Sequence, residues 1–289
     1  MKRRTKFLTA VAAFTLAGCD ISTYGADGSG PGGVAQGGGN PYLEPTCSSV
    51  YYDNYITEVG SAQSGGGSIY DSPGPTGGSN GTDNTTYIYQ AEYDYFKGHG
   101  AGAGAYFFMG GPQWAAPNET PYLWGVGQAN AAATYFNQMA ANNGGNAMSY
   151  GFIFGDIEMG VGNTNGWYYP ASGSQVTDNQ SVWQGFYTTL QNAGINVGVY
   201  SDNDNWSNAL GGVTVQQIEW TYQQDIGPTS PCPGGLFSNG PGGESAQFFG
   251  GITTSSNLAM EWQWSHQGGD YDYMDLGHWN NLFGAHQGP

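Results

Sequence analysis

The sequence predicts an α/β fold, a (β/α)8 barrel of the TIM type, irregular in its first two strands. Three observations predict it. Short apolar runs closed by glycines or acids alternate with longer segments of helical spacing. The runs are apolar on both faces, as expected of strands covered by helices outside and by core inside. Six such runs lie between residues 102 and 277, and two upstream candidates bring the set to eight. Strand–helix–strand alternation implies parallel pairing through crossover helices. A doubly wound open sheet is the alternative, but no glycine-rich phosphate turn follows the first strand.

The elements follow in order. "SSVYYDNYITEV" (48–59) and "GGSIYDSPG" (66–74) are the upstream strand candidates. "GAGAYFFMG" (102–110) is an apolar run bounded by glycines. "GQANAAATYFNQMAANNGG" (127–145) is alanine-rich, with Tyr135, Phe136 and Met139 at helical spacing. "YGFIFGDIE" (150–158) is a strand that ends on two acids. In "NQSVWQGFYTTLQNAG" (179–194), Val182, Phe186, Leu190 and Ala193 share one helical face, with Ser181 as start cap and Gly194 as stop. "INVGVYSD" (195–202), "VQQIEWTY" (215–222), "AMEWQWS" (259–265) and "YDYMDLG" (271–277) complete the strands.

Charge narrows the function. The chain has 5 Lys and Arg against 22 Asp and Glu, a formal net charge of −17. Lys2, Arg3, Arg4 and Lys6 open the chain, which leaves only Lys97 in its body. With no arginine there to clamp phosphate, and a field that repels polyanions, nucleic acid is excluded as a partner. The basic start runs into "FLTAVAAFTLAGC" (7–19). That is a signal-peptide pattern, too short for a spanning helix, which needs ~20 residues. Its end matches a bacterial lipobox, so Cys19 is the expected lipidation site and the only route to a membrane. Residues 1–19 are thus read as a signal peptide, 20–45 as a Gly-rich flexible linker, and 46–289 as the globular domain. Cys47 and Cys232 remain as a possible disulfide in an exported chain. No thiolate or histidine spacing points to a metal, and no cofactor motif is present.

The acids of "GFIFGDIEMG" (151–160) are the candidate chemistry. Residues two apart on a strand share a face, so Asp156 and Glu158 fall together with Phe152 and Phe154, ~6.6 Å apart along the chain. That overlaps the carboxyl separations used in glycoside hydrolysis. Neighbouring carboxylates disfavour ionising together, which would leave one as proton donor and one as charged partner. The competing readings are a solvated strand end and a cation site, for which "SDNDNW" (201–206) and "GGDYDYMD" (268–275) offer further oxygens.

Over residues 93–279 the chain resembles the family 25 glycoside hydrolases, secreted muramidase barrels, and related glycoside hydrolase-like domains. "YFKGHGAGAGAYFFMG", "GQANAAATYF", "FGDIE", "LQNAGINVGVYSDNDNW" and "EWQWS" followed by "YMDL" carry the resemblance, in that order. It implies Glu158 as general acid, Asp156 as its partner and Asp275 as a further acid on the last strand. It also implies that Tyr106, Tyr200, Trp262 and Gln263 line the cleft, with Trp262 chosen as the interior member of its strand. Aromatic rings suit the apolar faces of sugars, and amides suit their hydroxyls. The family's first strand has Gly-x-Asp-x-Ser. Its match here, "GCDIS" (18–22) with Asp20, collides with the lipobox, so Asp53 is the substitute.

The expected function is an exported glycosidase acting on cell-wall polysaccharide of the peptidoglycan type. The alternative is a non-catalytic carbohydrate-binding or envelope protein on the same barrel. A surface structural protein without a ligand is a third reading.

Overall fold

The computed structural model describes residues 22–28, 52–70, 102–142, 152–159, 162, 164–223, 246–266 and 269–275. They form a mixed α/β structure around one sheet of mostly parallel strands. The strands are β1 (Ser22–Gly28), β2 (Tyr52–Gln63), β3 (Gly67–Tyr70), β4 (Gly102–Phe108) and β5 (Phe152–Asp156). β6 (Asn196–Ser201), β7 (Ile218–Gln223), β8 (Ala259–His266) and β9 (Gly269–Asp275) complete it. The helices are α1 (Pro121–Asn142), α2 (Ser174–Asn192) and α3 (Asn203–Leu210). No described helix is long and apolar enough to cross a membrane.

The strand order is β1-β9-β8-β7-β6-β5-β4-β2-β3, and β1 also pairs with β2. From β2 through β4, β5, β6 and β7 to β8, every neighbouring pair is parallel. The sequence departs from the structure at both ends of this series. The last strand, β9, is antiparallel to both β8 and β1, where an all-parallel set was expected. It begins three residues after β8 ends, and a connection of that length is too short for a parallel crossover. β3 falls within the second upstream candidate, but it folds back on β2 as a hairpin arm and pairs with no other described strand. The strand between β9 and β2 is β1, drawn from the stretch expected to be a flexible linker. Backbone hydrogen bonds to two neighbours let a segment with few large apolar side chains join a sheet.

The helices sit as the periodicity implies, with earlier starts. α1 begins at Pro121, a residue suited to the first helical turn because it has no N–H to leave unpaired. α2 begins at Ser174, so Ser181 is internal, and its hydroxyl donates to the Thr177 carbonyl at 2.7 Å. Val182, Phe186 and Leu190 are its buried face, and Gly194 ends it at φ 75°. α1 and α2 pack through glycines: a Cβ on Gly125 would lie 2.0 Å from the Val182 carbonyl oxygen, and one on Gly185 2.2 Å from that of Tyr122.

Two cores lie on opposite faces of the sheet. The outer core joins Ala105, Phe107, Ile153, Val197 and Val199 to Trp124, Val182, Phe186 and Leu190 of the helices. The inner core is Tyr106, Phe152, Phe154, Tyr200, Ile218, Trp220 and Met260. The ring centroids of Tyr106 on β4 and Trp220 on β7 are 6.1 Å apart. In a flat sheet strands three places apart would be ~14 Å from one another. The sheet therefore curves strongly, with this aromatic cluster in its concavity.

Curvature is accompanied by a bulge. Glu219 pairs with Ala259 but Trp220 pairs with Glu261, so Met260 is an extra residue. The bulge shifts the alternation that follows it. Trp262 then pairs with Thr221, whose hydroxyl donates to the Gln247 carbonyl on the outer side, and Gln263 faces inward. This reverses the expectation that Trp262 is the interior member.

Glu219 lies on the outer side of β7, fully buried. Its Oε1 accepts the Phe249 N–H at 2.5 Å, and its Oε2 has no hydrogen-bond partner among the described residues. Burial, only partly offset by the Phe249 bond, pushes its carboxyl up to about 9. The folded protein therefore holds this acid neutral while the unfolded chain ionises it near the ordinary value of 4.5. A raised folded-state value contributes stability that is whole at low pH and is lost as pH climbs through that window. Glu219→Gln should flatten this loss. Denaturant unfolding between pH 5 and 9 should show wild type losing ~1.4 kcal/mol per pH unit relative to the variant across most of the interval.

Candidate functional site

The parallel strands point their C-terminal ends at one rim of the sheet. β5 delivers Asp156 there as its last residue, in register with Phe108 of β4 and Tyr200 of β6. Asp156 is 4% exposed. Ile157, between the two acids, is buried in the outer core, and Glu158 is half-buried. The ladder continues past the strand: the Ile157 N–H donates to the Tyr200 carbonyl at 3.0 Å, and the Ser201 hydroxyl to the Ile157 carbonyl at 2.8 Å.

A chain of amide contacts holds this rim in place. On α1, the buried Gln128 donates to the Gly110 carbonyl and accepts the Gly110 N–H, both at 2.9 Å. The Trp124 indole N–H reaches the Gly110 and Gly111 carbonyls at 2.9 and 3.0 Å. The Gly111 N–H then donates to the Asn165 carbonyl at 2.9 Å. Asn165, at φ 50°, donates through its side chain to the Glu158 carbonyl at 2.9 Å. The loops after β4 and β5 meet closely here. A Cβ on Gly111 would fall 2.3 Å from the Trp167 backbone, which no rearrangement of a side chain relieves.

Asp202 caps α3 immediately after β6. Its Oδ1 accepts the Asn205 N–H at 2.6 Å and its Oδ2 the Asn205 side-chain amide at 2.8 Å. Burial raises its pKa above the ordinary aspartate value, against the Asn205 bond that lowers it. It stands two residues past Tyr200 as Glu158 stands two past Asp156, so the two acids extend neighbouring strands in step. In the sequence Asp202 reads only as one oxygen among several in "SDNDNW". Its strand-ending position and the Asn three residues on were the available signal.

The other expected site residues divide. Tyr106, Tyr200 and Gln263 come together beneath the rim. The Tyr200 ring lies 4.3 Å from that of Trp220, and its hydroxyl donates to Gln263 Oε1. They are nevertheless buried, at 4%, 5% and 3% exposed, so they form a floor and not an open wall. Trp220, absent from the expected set, is the hub of that floor and contacts the rings of Tyr106, Phe154 and Tyr200. Trp262 lies in the outer layer. Asp275 is not brought to Asp156. β9 runs backwards, its Met274 pairs with Glu261 near the start of β8, and Asp275 lies beyond it toward the opposite rim. Asp53 falls where the β1–β2 register shifts, near the start of β2 and so also at the far rim. Cys19, Cys47 and Cys232 lie outside the described residues.

No protein-family model matches the chain, and no curated protein does. Among solved structures, the chain is similar to a family GH25 lysozyme from Aspergillus fumigatus at 14% identity, over 88% of this chain and 94% of that one, with a TM-score of 0.47. It is similar to the CTP1L endolysin at 13% identity, over 91% and 70%, with a TM-score of 0.47. It is similar to a family 25 glycosyl hydrolase from Bacillus anthracis at 12% identity, over 87% and 88%, with a TM-score of 0.41.

The Gln128 grip yields a direct expectation. Gln128→Ala strands the buried Gly110 N–H, while the Gly110 carbonyl keeps the Trp124 indole N–H. Such an orphan costs ~1–3 kcal/mol. Denaturant titration should therefore show a loss of ~1–3 kcal/mol in unfolding free energy.

Proposed function

We propose that the chain is an exported glycoside hydrolase that cleaves glycosidic bonds of cell-wall polysaccharide, of the peptidoglycan type. The observation that carries this reading is the pair of acids at the C-terminal end of β5, Asp156 buried and Glu158 half-exposed beside it. That rim is where active sites collect when parallel strands surround a core. In this reading the sheet closes through β1 as a barrel of the (β/α)8 type with its last strand reversed. The signal-peptide pattern, with Cys19 as lipid anchor, places the protein in the cell envelope, and Cys47 and Cys232 form a disulfide there.

The mechanism follows from the acids. Glu158, the more exposed, donates its proton to the leaving glycosidic oxygen. Asp156, held over the aromatic floor, carries negative charge toward the anomeric carbon as positive charge develops. Water completes hydrolysis, with Glu158 recovering its proton. Asp275 takes no part, since its strand ends at the other rim.

The competing reading, a carbohydrate-binding or envelope protein on the same scaffold, draws on the net charge of −17, which disfavours approach to an anionic wall. Reducing-end release from peptidoglycan separates the two. Glu158→Gln should lower the rate ~10²–10⁴-fold while leaving sedimentation with the polysaccharide intact. Cosedimentation by wild type with no release of reducing ends would instead establish the binding protein.

A further inference from the structure

A groove of about 540 Å³ opens where α2 ends and β6 and β7 begin. Its size falls within the ~300–1,000 Å³ typical of small-molecule sites. Ile218 and Leu258 supply an apolar floor continuous with the inner core. Gln191, Asn192, Asn196 and Gln216 supply its polar wall, and all four are exposed. None of the four side-chain amides is hydrogen-bonded to a described residue. The groove stands at the rim opposite the acids. On β6, Asn196 and the Asp156 partner Tyr200 are four residues apart. That is ~13 Å along a strand.

We propose that this groove is a second binding site, separate from the acids, for a neutral oligosaccharide. Each side-chain amide presents a donor pair and an acceptor, which matches hydroxyls that both donate and accept. The apolar floor suits the C–H face of a sugar ring. No lining residue is charged, so the site has nothing to neutralise an anion or a cation. The chain's net charge of −17 adds repulsion against anions. An uncharged polyhydroxylated ligand is the class that remains. The proposal stands whether or not the acids at the other rim are catalytic.

Backbone-amide NMR of the full chain, titrated with chitotetraose and separately with maltotetraose, tests it. At least one probe should shift the signals of residues 191–197 and 216–218. The double variant Asn196→Ala, Gln216→Ala should weaken that binding at least about tenfold. A second pair on the exposed end of α2, Gln191→Ala with Asn192→Ala, should do the same should the first fold poorly. Glu158→Gln should leave these shifts unchanged. Shifts confined to the acid-bearing rim would overturn the proposal. So would no shift with either sugar up to about 10 mM, or unchanged affinity in a folded double variant.

Discussion

The rim of the sheet depends on one amide side chain pairing with the backbone. Gln128 accepts the Gly110 N–H left over once β4 has ended, and shares the Gly110 carbonyl with the Trp124 indole N–H. A strand that stops inside a protein leaves such groups stranded, and burial makes that costly. Because α1 satisfies them, β4 turns sharply enough for Gly111 to lie against the Gly166–Trp167 backbone. The loop after β5 is thereby fixed, and Asn165 passes the restraint to the Glu158 carbonyl. The position of the acids thus traces back, through these backbone contacts, to side chains of α1.

The two cores divide the labour. The outer one, between sheet and helices, is a packed aliphatic and aromatic layer in which even a Cβ is excluded at Gly125 and Gly185. The inner one is nearly all aromatic, and its rings meet at an edge or a tilt. Such arrangements let rings of one size fill a strongly curved concavity without voids. Asp156 therefore sits above a rigid apolar floor, with its polar surroundings supplied by the rim.

Much of this was legible in the residues, and the gaps have physical causes. The strands from β4 to β8 declared themselves because both faces are buried, and the apolar face of α2 followed from helical spacing. β1 did not, because Ser22–Gly28 is held by backbone pairing, and "STYGADG" has the composition of a tether. The reversal of β9 was marked only by the short gap after β8, too short for a parallel crossover, since the apolar pattern of a strand is the same in either direction. That hid the separation of Asp275 from the β5 acids. The choice between Trp262 and Gln263 failed at Met260, where one inserted residue changes which side chains face inward. Gln128 and Asn165 read as ordinary polar residues because what they do depends on neighbours distant in the sequence.

The placing of β1 bears on the order in which the protein is assembled. Its two partners are β2, the next described strand along the chain, and β9, the most distant one. One side of β1 stays unmatched until β9 arrives, and that seam closes a loop containing every other described strand. The rows from β4 to β8 build in sequence with near neighbours, so the slow, entropically expensive event is the joining of β1 to β9.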